Sequence, residues 1–213
     1  TLCVYFPYSC TNSFNTEICM RTYRCEDVTL SERGIDSKGW LCNPQEKGKK
    51  PAILVLGPKD ASNNTVLLQY ATRLANYGFV VLGMEETQDV KAAIDYLSLK
   101  DEVDPNKMYA MGICNGTNEV LASTEAEKRL KAIALVAGCY KRKEASRVKV
   151  PTIVIHGGKN EKEYQSAQRV YDTICAEEKL AIWEGSVTHA QYFEDPLVLD
   201  KTVRNVFRWF KTH

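Results

Sequence analysis

Short apolar runs alternate along this chain with longer segments in which apolar residues return at three- and four-residue steps. Residues 52–56 (Ala-Ile-Leu-Val-Leu) and 79–83 are apolar on nearly every position, as parallel strands covered on both faces must be. Between them Leu67, Tyr70, Leu74 and Tyr77 mark one helix face, and Gly78 stands where a helix C-cap belongs. The alternation continues with a helix over 87–99 carrying Val90, Ala93, Ile94 and Leu97, a turn at Asp104-Pro105, and strands at 108–111, 132–137, 152–156 and 179–183. A helix follows Cys114, another bears Tyr164, Ala167, Tyr171 and Ile174, and a last one bears Val203, Phe207 and Phe210. Two further β-favouring runs, 25–30 and 38–42, precede them. Strands separated by helices of this length predict right-handed βαβ units. The fold class is therefore α/β: a doubly wound, mostly parallel sheet of about eight strands with helices on both faces. Residues 1–24 have neither period and are rich in Thr, Asn, Ser and Cys. They read as an irregular arm ahead of one domain at 25–213.

Composition narrows the function classes. With 213 residues, 44% of them hydrophobic, one core is large enough to stand without metal or disulfide. Lys and Arg number 28 against 27 Asp and Glu, so no charge surplus points to nucleic acid or an anionic membrane. No apolar run approaches the roughly 20 residues that span a bilayer, and the opening residues lack the basic region of a signal peptide. The first residue is Thr rather than Met. A small substrate is the natural partner. Five of the eight cysteines (Cys3, Cys10, Cys19, Cys25, Cys42) fall in the first fifth. Cys3, Cys10, Cys19 and Cys25 fit either two disulfides or free thiols, and no Cys-x-x-Cys pair suggests zinc. Cys42, Cys139 and Cys175 lie among apolar residues and read as core thiols.

Cys114 reads differently. Gly112-Ile113-Cys114-Asn115-Gly116 joins a predicted strand to a predicted helix. A nucleophile elbow holds its central residue in a tight turn, and flanking glycines let strand and helix approach without a Cβ clash. The helix N-terminus then favours a thiolate. Such a thiol needs a base. Of three histidines, His213 is terminal and His156 ends an apolar strand, where backbone hydrogen bonding is the expected role. His189 lies in a polar loop between the last strand and the last helix, where these folds place function. A redox-sensing role for Cys114 would need a resolving cysteine, and the sequence places none beside it. Two glycosylation-type triplets, Asn63-Asn64-Thr65 and Asn115-Gly116-Thr117, also occur, and a glycan on Asn115 would block the elbow.

The elbow, the stretch Ala92-Ala93-Ile94-Asp95-Tyr96-Leu97, the turn Val103-Asp104-Pro105, residues 151–157, and Trp183-Glu184-Gly185 through His189 resemble, in the same order, the dienelactone-hydrolase-like α/β hydrolases. The resemblance covers about residue 25 to the C-terminus. It implies an α/β-hydrolase fold and hydrolysis of an ester, lactone or thioester through an acyl-cysteine, without metal or organic cofactor. Cys114 would be nucleophile and His189 base. Asn160 stands where the family has its carboxylate, with Glu161 or Glu163 as substitutes. The oxyanion-hole amides would be those of Asn115 and Lys59, although the turn Gly57-Pro58-Lys59-Asp60 lacks the family's glycine-rich pattern. Between residues 83 and 87 only Met84-Glu85-Glu86 remain, and no lid segment is evident. A nucleophilic thiol favours a reducing compartment. These departures also admit a second expectation, a catalytically degenerate subunit whose N-terminal arm docks on a protein partner.

Overall fold

The computed structural model describes residues 22–32, 35–57, 64–85, 89–140, 145–159 and 161–213. Eight strands form one sheet in the order β1-β2-β4-β3-β5-β6-β7-β8. The hairpin β1 (Tyr23–Glu32) and β2 (Ile35–Pro44) is antiparallel and joins β4 (Val80–Glu85) antiparallel. From β4 onward, β3 (Lys50–Gly57), β5 (Val103–Ile113), β6 (Leu130–Val136), β7 (Thr152–Gly157) and β8 (Lys179–Glu184) pair in parallel. This is the doubly wound sheet that the apolar pattern predicts.

Consecutive apolar residues are buried on both sides because helices cover both faces. Ala52, Leu54 and Leu56 pack with Val90, Ala93, Ile94 and Leu97 of α2 (Val90–Ser98), with Val120 and Leu121 of α3 (Gly116–Ser123) and with Val170 of α4 (Lys162–Thr173). Ile53 and Val55 pack with Leu67, Tyr70 and Leu74 of α1 (Asn64–Asn76). On that same face lie Leu199, Val203 and Phe210 of α6 (Pro196–Thr212), the long helix after the single turn α5 (Gln191–Glu194). Gly78 ends α1 with φ 94°, a backbone angle that favours glycine. Asp89 caps α2 by accepting from the Ala92 N–H at 3.0 Å.

Three local expectations change. The Asp104-Pro105 turn is an excursion inside β5: Lys50 pairs with Val103 and Ala52 with Met108, while Asp104 Oδ1 accepts from the Asn106 N–H at 3.0 Å. Cys42 is no free core thiol, since Cys25 and Cys42 face each other across the hairpin and form a disulfide. Only the register of the hairpin brings the two cysteines together. Cys175 is exposed, not in the core. Cys3, Cys10, Cys19 and the arm up to residue 21 lie outside the described residues, as do Asn63, Lys59 and Asn160. Among the described residues no helix is long and apolar enough to cross a membrane.

Candidate active site

The site is built at the C-terminal ends of neighbouring parallel strands. β5 delivers Cys114, which has φ 52°, the left-handed region that a non-glycine residue enters at a cost of about 1–3 kcal/mol. The turn is held by its own carbonyl: Cys114 O accepts from Thr117 Oγ1 at 2.6 Å and from the Cys139 N–H at 3.3 Å. Both flanking glycines are needed for space. A Cβ on Gly112 would lie 2.5 Å from Thr117 Cα, and one on Gly116 would run into the backbone of Leu56 at the end of β3. α3 therefore starts hard against the sheet, and the Asn115 N–H at its start favours the charged form of the Cys114 sulfur.

β6 delivers Ala137 and Cys139. Cys139 Sγ lies 3.6 Å from Cys114 Sγ and 4.0 Å from His189 Nε2, and the three ligand-type atoms all lie within 4.8 Å of one another. Read from sequence as a core thiol, Cys139 is half-buried and belongs to the site. Its place three residues past β6 was the available signal, because the parallel strands of this sheet all end on the same edge. It is also the neighbouring cysteine that the sequence could not locate.

The loop after β8 delivers His189, whose Nε2 lies 2.9 Å from Ala137 O. That loop is braced from below. Tyr192 Oη donates to Glu184 Oε2 at 2.9 Å, Tyr70 Oη donates to Tyr192 O at 2.9 Å, and Lys201 pairs with Glu184 at 2.5 Å. The strand end of β7 abuts it: the Gly158 N–H donates to Val187 O, and Gly157 has no room for a Cβ beside that carbonyl. His156 is fully buried, with Nδ1 2.7 Å from Gly157 O and Nε2 3.2 Å from Gly138 O, a backbone-held ring. Burial lowers its pKa, against the opposing pull of those two carbonyls. Glu161 precedes α4, and its Oε1 accepts from the backbone N–H of His189 at 3.4 Å, so it meets the base through the main chain. Glu163 is felt at the site through its charge, beside Cys139.

Charge separates across this cluster. The Cys139 S–H, the His189 ring and the Asn115 amide hold Cys114 down at about 5 against the opposing effect of burial. The contact with Cys114 and burial raise Cys139, so the proton of the sulfur pair resides there. The Cys114 thiolate raises His189 in turn. The arrangement favours a thiolate on Cys114 and strengthens the hold of the His189 ring on its proton. A shallow hollow of about 250 Å³ lined by Arg24, Asn43, Lys100 and Glu102 lies at the other end of the strands and plays no part in it.

The PET hydrolase-like family model matches residues 16–211. The chain belongs to that family. Solved structures of α/β hydrolases, dienelactone hydrolases among them, share its fold. The hypothetical protein PA2218 of Pseudomonas aeruginosa superposes with a TM-score of 0.77 at 16% identity, covering 96% of this chain and 100% of that one. The dienelactone hydrolase of Anabaena variabilis gives 0.72 at 19% identity, covering 90% and 98%. In sequence, PA2218 is 30% identical over 128 residues, which are 50% of this chain and 34% of that protein. YcjY of Escherichia coli is 29% identical over 105 residues, 40% of this chain and again 34% of the relative. The matched stretch thus spans about a third of each relative's length.

Proposed function

We propose that this member of the PET hydrolase-like family is an acyl hydrolase acting on a small ester, lactone or thioester through an acyl-cysteine. The observation that carries this reading is Cys114 at φ 52° on a strand-to-helix bend with His189 within reach. Structural neighbours that include dienelactone hydrolases support ester and lactone substrates. The Cys114 thiolate attacks the acyl carbon, and the carbonyl electrons move to oxygen, where the Asn115 N–H can donate. His189, protonated, gives its proton to the departing alkoxide or thiolate, leaving a thioester on Cys114. Water then attacks that thioester as His189 takes its proton, and Cys114 leaves as thiolate. On the sequence match the second oxyanion donor would be the Lys59 amide, and Asn160 would orient the imidazole from the position of the usual carboxylate. Neither the N-terminal arm nor a protein partner is needed for this chemistry.

A catalytically degenerate subunit is the second reading. It draws on one observation: Glu161 bonds the main chain of His189, not its ring. A p-nitrophenyl acetate assay separates the two. The expected result is a burst of p-nitrophenol equal to the enzyme concentration, an acetyl adduct of one site on Cys114 by mass spectrometry, and a loss on the order of 10³-fold or more in Cys114→Ala and in His189→Ala. Equal rates for all three proteins would overturn the hydrolase reading.

A further inference from the structure

We infer that Cys114, Cys139 and His189 form a site for a borderline-soft divalent cation of the zinc type, and that an ion bound there holds the hydrolytic thiolate out of action. In tetrahedral zinc sites, Zn–S of about 2.3 Å and Zn–N of about 2.0–2.1 Å make the edges of the ligand tetrahedron about 3.8 Å between sulfurs and about 3.6 Å between sulfur and nitrogen. Here the two sulfurs are 3.6 Å apart, and Cys139 Sγ is 4.0 Å from His189 Nε2. The third edge is within 4.8 Å, so the His189 ring need move only by about one ångström, exchanging its Ala137 contact for the ion.

The ligands are set by backbone rather than by chance of rotamer. Cys139 N–H donates to Cys114 O at 3.3 Å, and Asn118 Nδ2 donates to Cys139 O at 2.7 Å, fixing the two cysteine main chains against each other and against α3. Two thiolates balance a dication, which removes the electrostatic cost of placing it among half-buried groups. All three residues are partly exposed, leaving a fourth position open to water. Thiolate and imidazole donors select zinc, cadmium or copper(I) over magnesium and calcium. Binding would engage both the nucleophile and the base, so the ion and an acyl substrate compete for the same sulfur. Binding releases the Cys139 thiol proton and the His189 Nε2 proton to solvent, no electron is transferred, and a chelator reverses it.

The probe is cadmium ion titrated into the chain purified without reductant, its Cys25–Cys42 disulfide intact and Cys114 and Cys139 verified as free thiols by mass spectrometry, read by the thiolate-to-cadmium absorption in the near ultraviolet. One equivalent is expected to bind in wild type and in Cys175→Ser. Cys139→Ser, Cys114→Ser and His189→Ala should each lose affinity by more than the roughly 10- to 100-fold that an outer-sphere partner is worth. Unchanged far-ultraviolet circular dichroism verifies that each variant is folded. A second readout needs no variant: one equivalent of zinc should slow alkylation of Cys114 by iodoacetamide at least tenfold, and EDTA should restore it. Identical cadmium spectra in wild type, Cys114→Ser and Cys139→Ser, or alkylation indifferent to zinc, would overturn the site. The inference stands apart from the hydrolase reading, because ion binding is measured without turnover. A chain that binds zinc here but never cleaves ester refutes only the activity, and one that cleaves ester indifferently to zinc refutes only the ion site.

Discussion

A cysteine thiol is only a few per cent ionised at neutral pH unless its surroundings favour the thiolate. At Cys114 three neighbours favour the charged sulfur, the Cys139 thiol 3.6 Å away first among them, and they outweigh burial to bring it to about 5. Thiolate therefore accumulates as pH rises through that value, and the rate of ester cleavage should climb over the same range. Cys139→Ala removes the largest contribution, so its acidic limb should move up towards the ordinary cysteine value of about 8.5, whereas Cys139→Ser keeps a donor and should move less. A pH profile of kcat/KM for the three proteins measures this, and coincident limbs would show that Cys139 does not tune the nucleophile. The same shift bears on stability. A folded pKa below the unfolded one contributes stability that is complete above the unfolded value and is lost as pH falls through about 5. The glycines beside Cys114 give a steric prediction. Gly116→Ala drives a Cβ into the Leu56 backbone and should cost about 1–3 kcal/mol, a Tm lower by roughly 2–4 °C per kcal/mol. At this scale the elbow and both of its glycines were legible from Gly112 to Gly116, because a short string sets that geometry. Cys139 was not, because its contact with Cys114 spans 25 residues and exists only once β5 and β6 pair.

The elements around the base show how a loop histidine is made rigid. His189 sits between β8 and α5, and neither is long: β8 has 6 residues and α5 has 4. What holds the loop is the buried chain from Tyr70 on α1 through Tyr192 to Glu184, with the exposed Lys201 paired to that carboxylate. Tyr70→Phe leaves the Tyr192 carbonyl without its donor, which should cost about 1–3 kcal/mol by urea unfolding. Because Tyr192 follows His189 by three residues, kcat should fall with little change in KM. A variant that loses stability at unchanged kcat would make the brace structural only. Helices and strands were legible as elements because a buried face demands a period, and the helix faces of α1 and α2 are those the apolar spacing marks. The brace was hidden in that same pattern: Tyr70 reads as one more apolar position, and nothing local says where its hydroxyl goes.

For the molecule as a whole, the sheet edge made by β1 and β2 is stapled by Cys25–Cys42, closing a sequence separation of 17 residues. A loop of that size is worth about 3 kcal/mol to a disulfide in the chain-entropy account. The double variant Cys25→Ala, Cys42→Ala should lose about that much in denaturant unfolding. Its ester hydrolysis should stay at the wild-type rate, because the staple lies on the hairpin and the candidate site at the ends of β5 to β8. A loss of activity at full stability would tie the hairpin to the site. The amino-acid order alone determined the α/β class, the run of strands and helices, and the bend that carries Cys114. These follow from periodicity and from glycine, which act over a few residues. Tertiary structure alone decided which cysteine faces Cys42, which thiol touches Cys114, and that Glu161 meets His189 through its main chain. Each of those depends on strand register and on where separate loops land along one sheet edge, and burial of apolar area rewards the sheet without naming the polar neighbours it brings together.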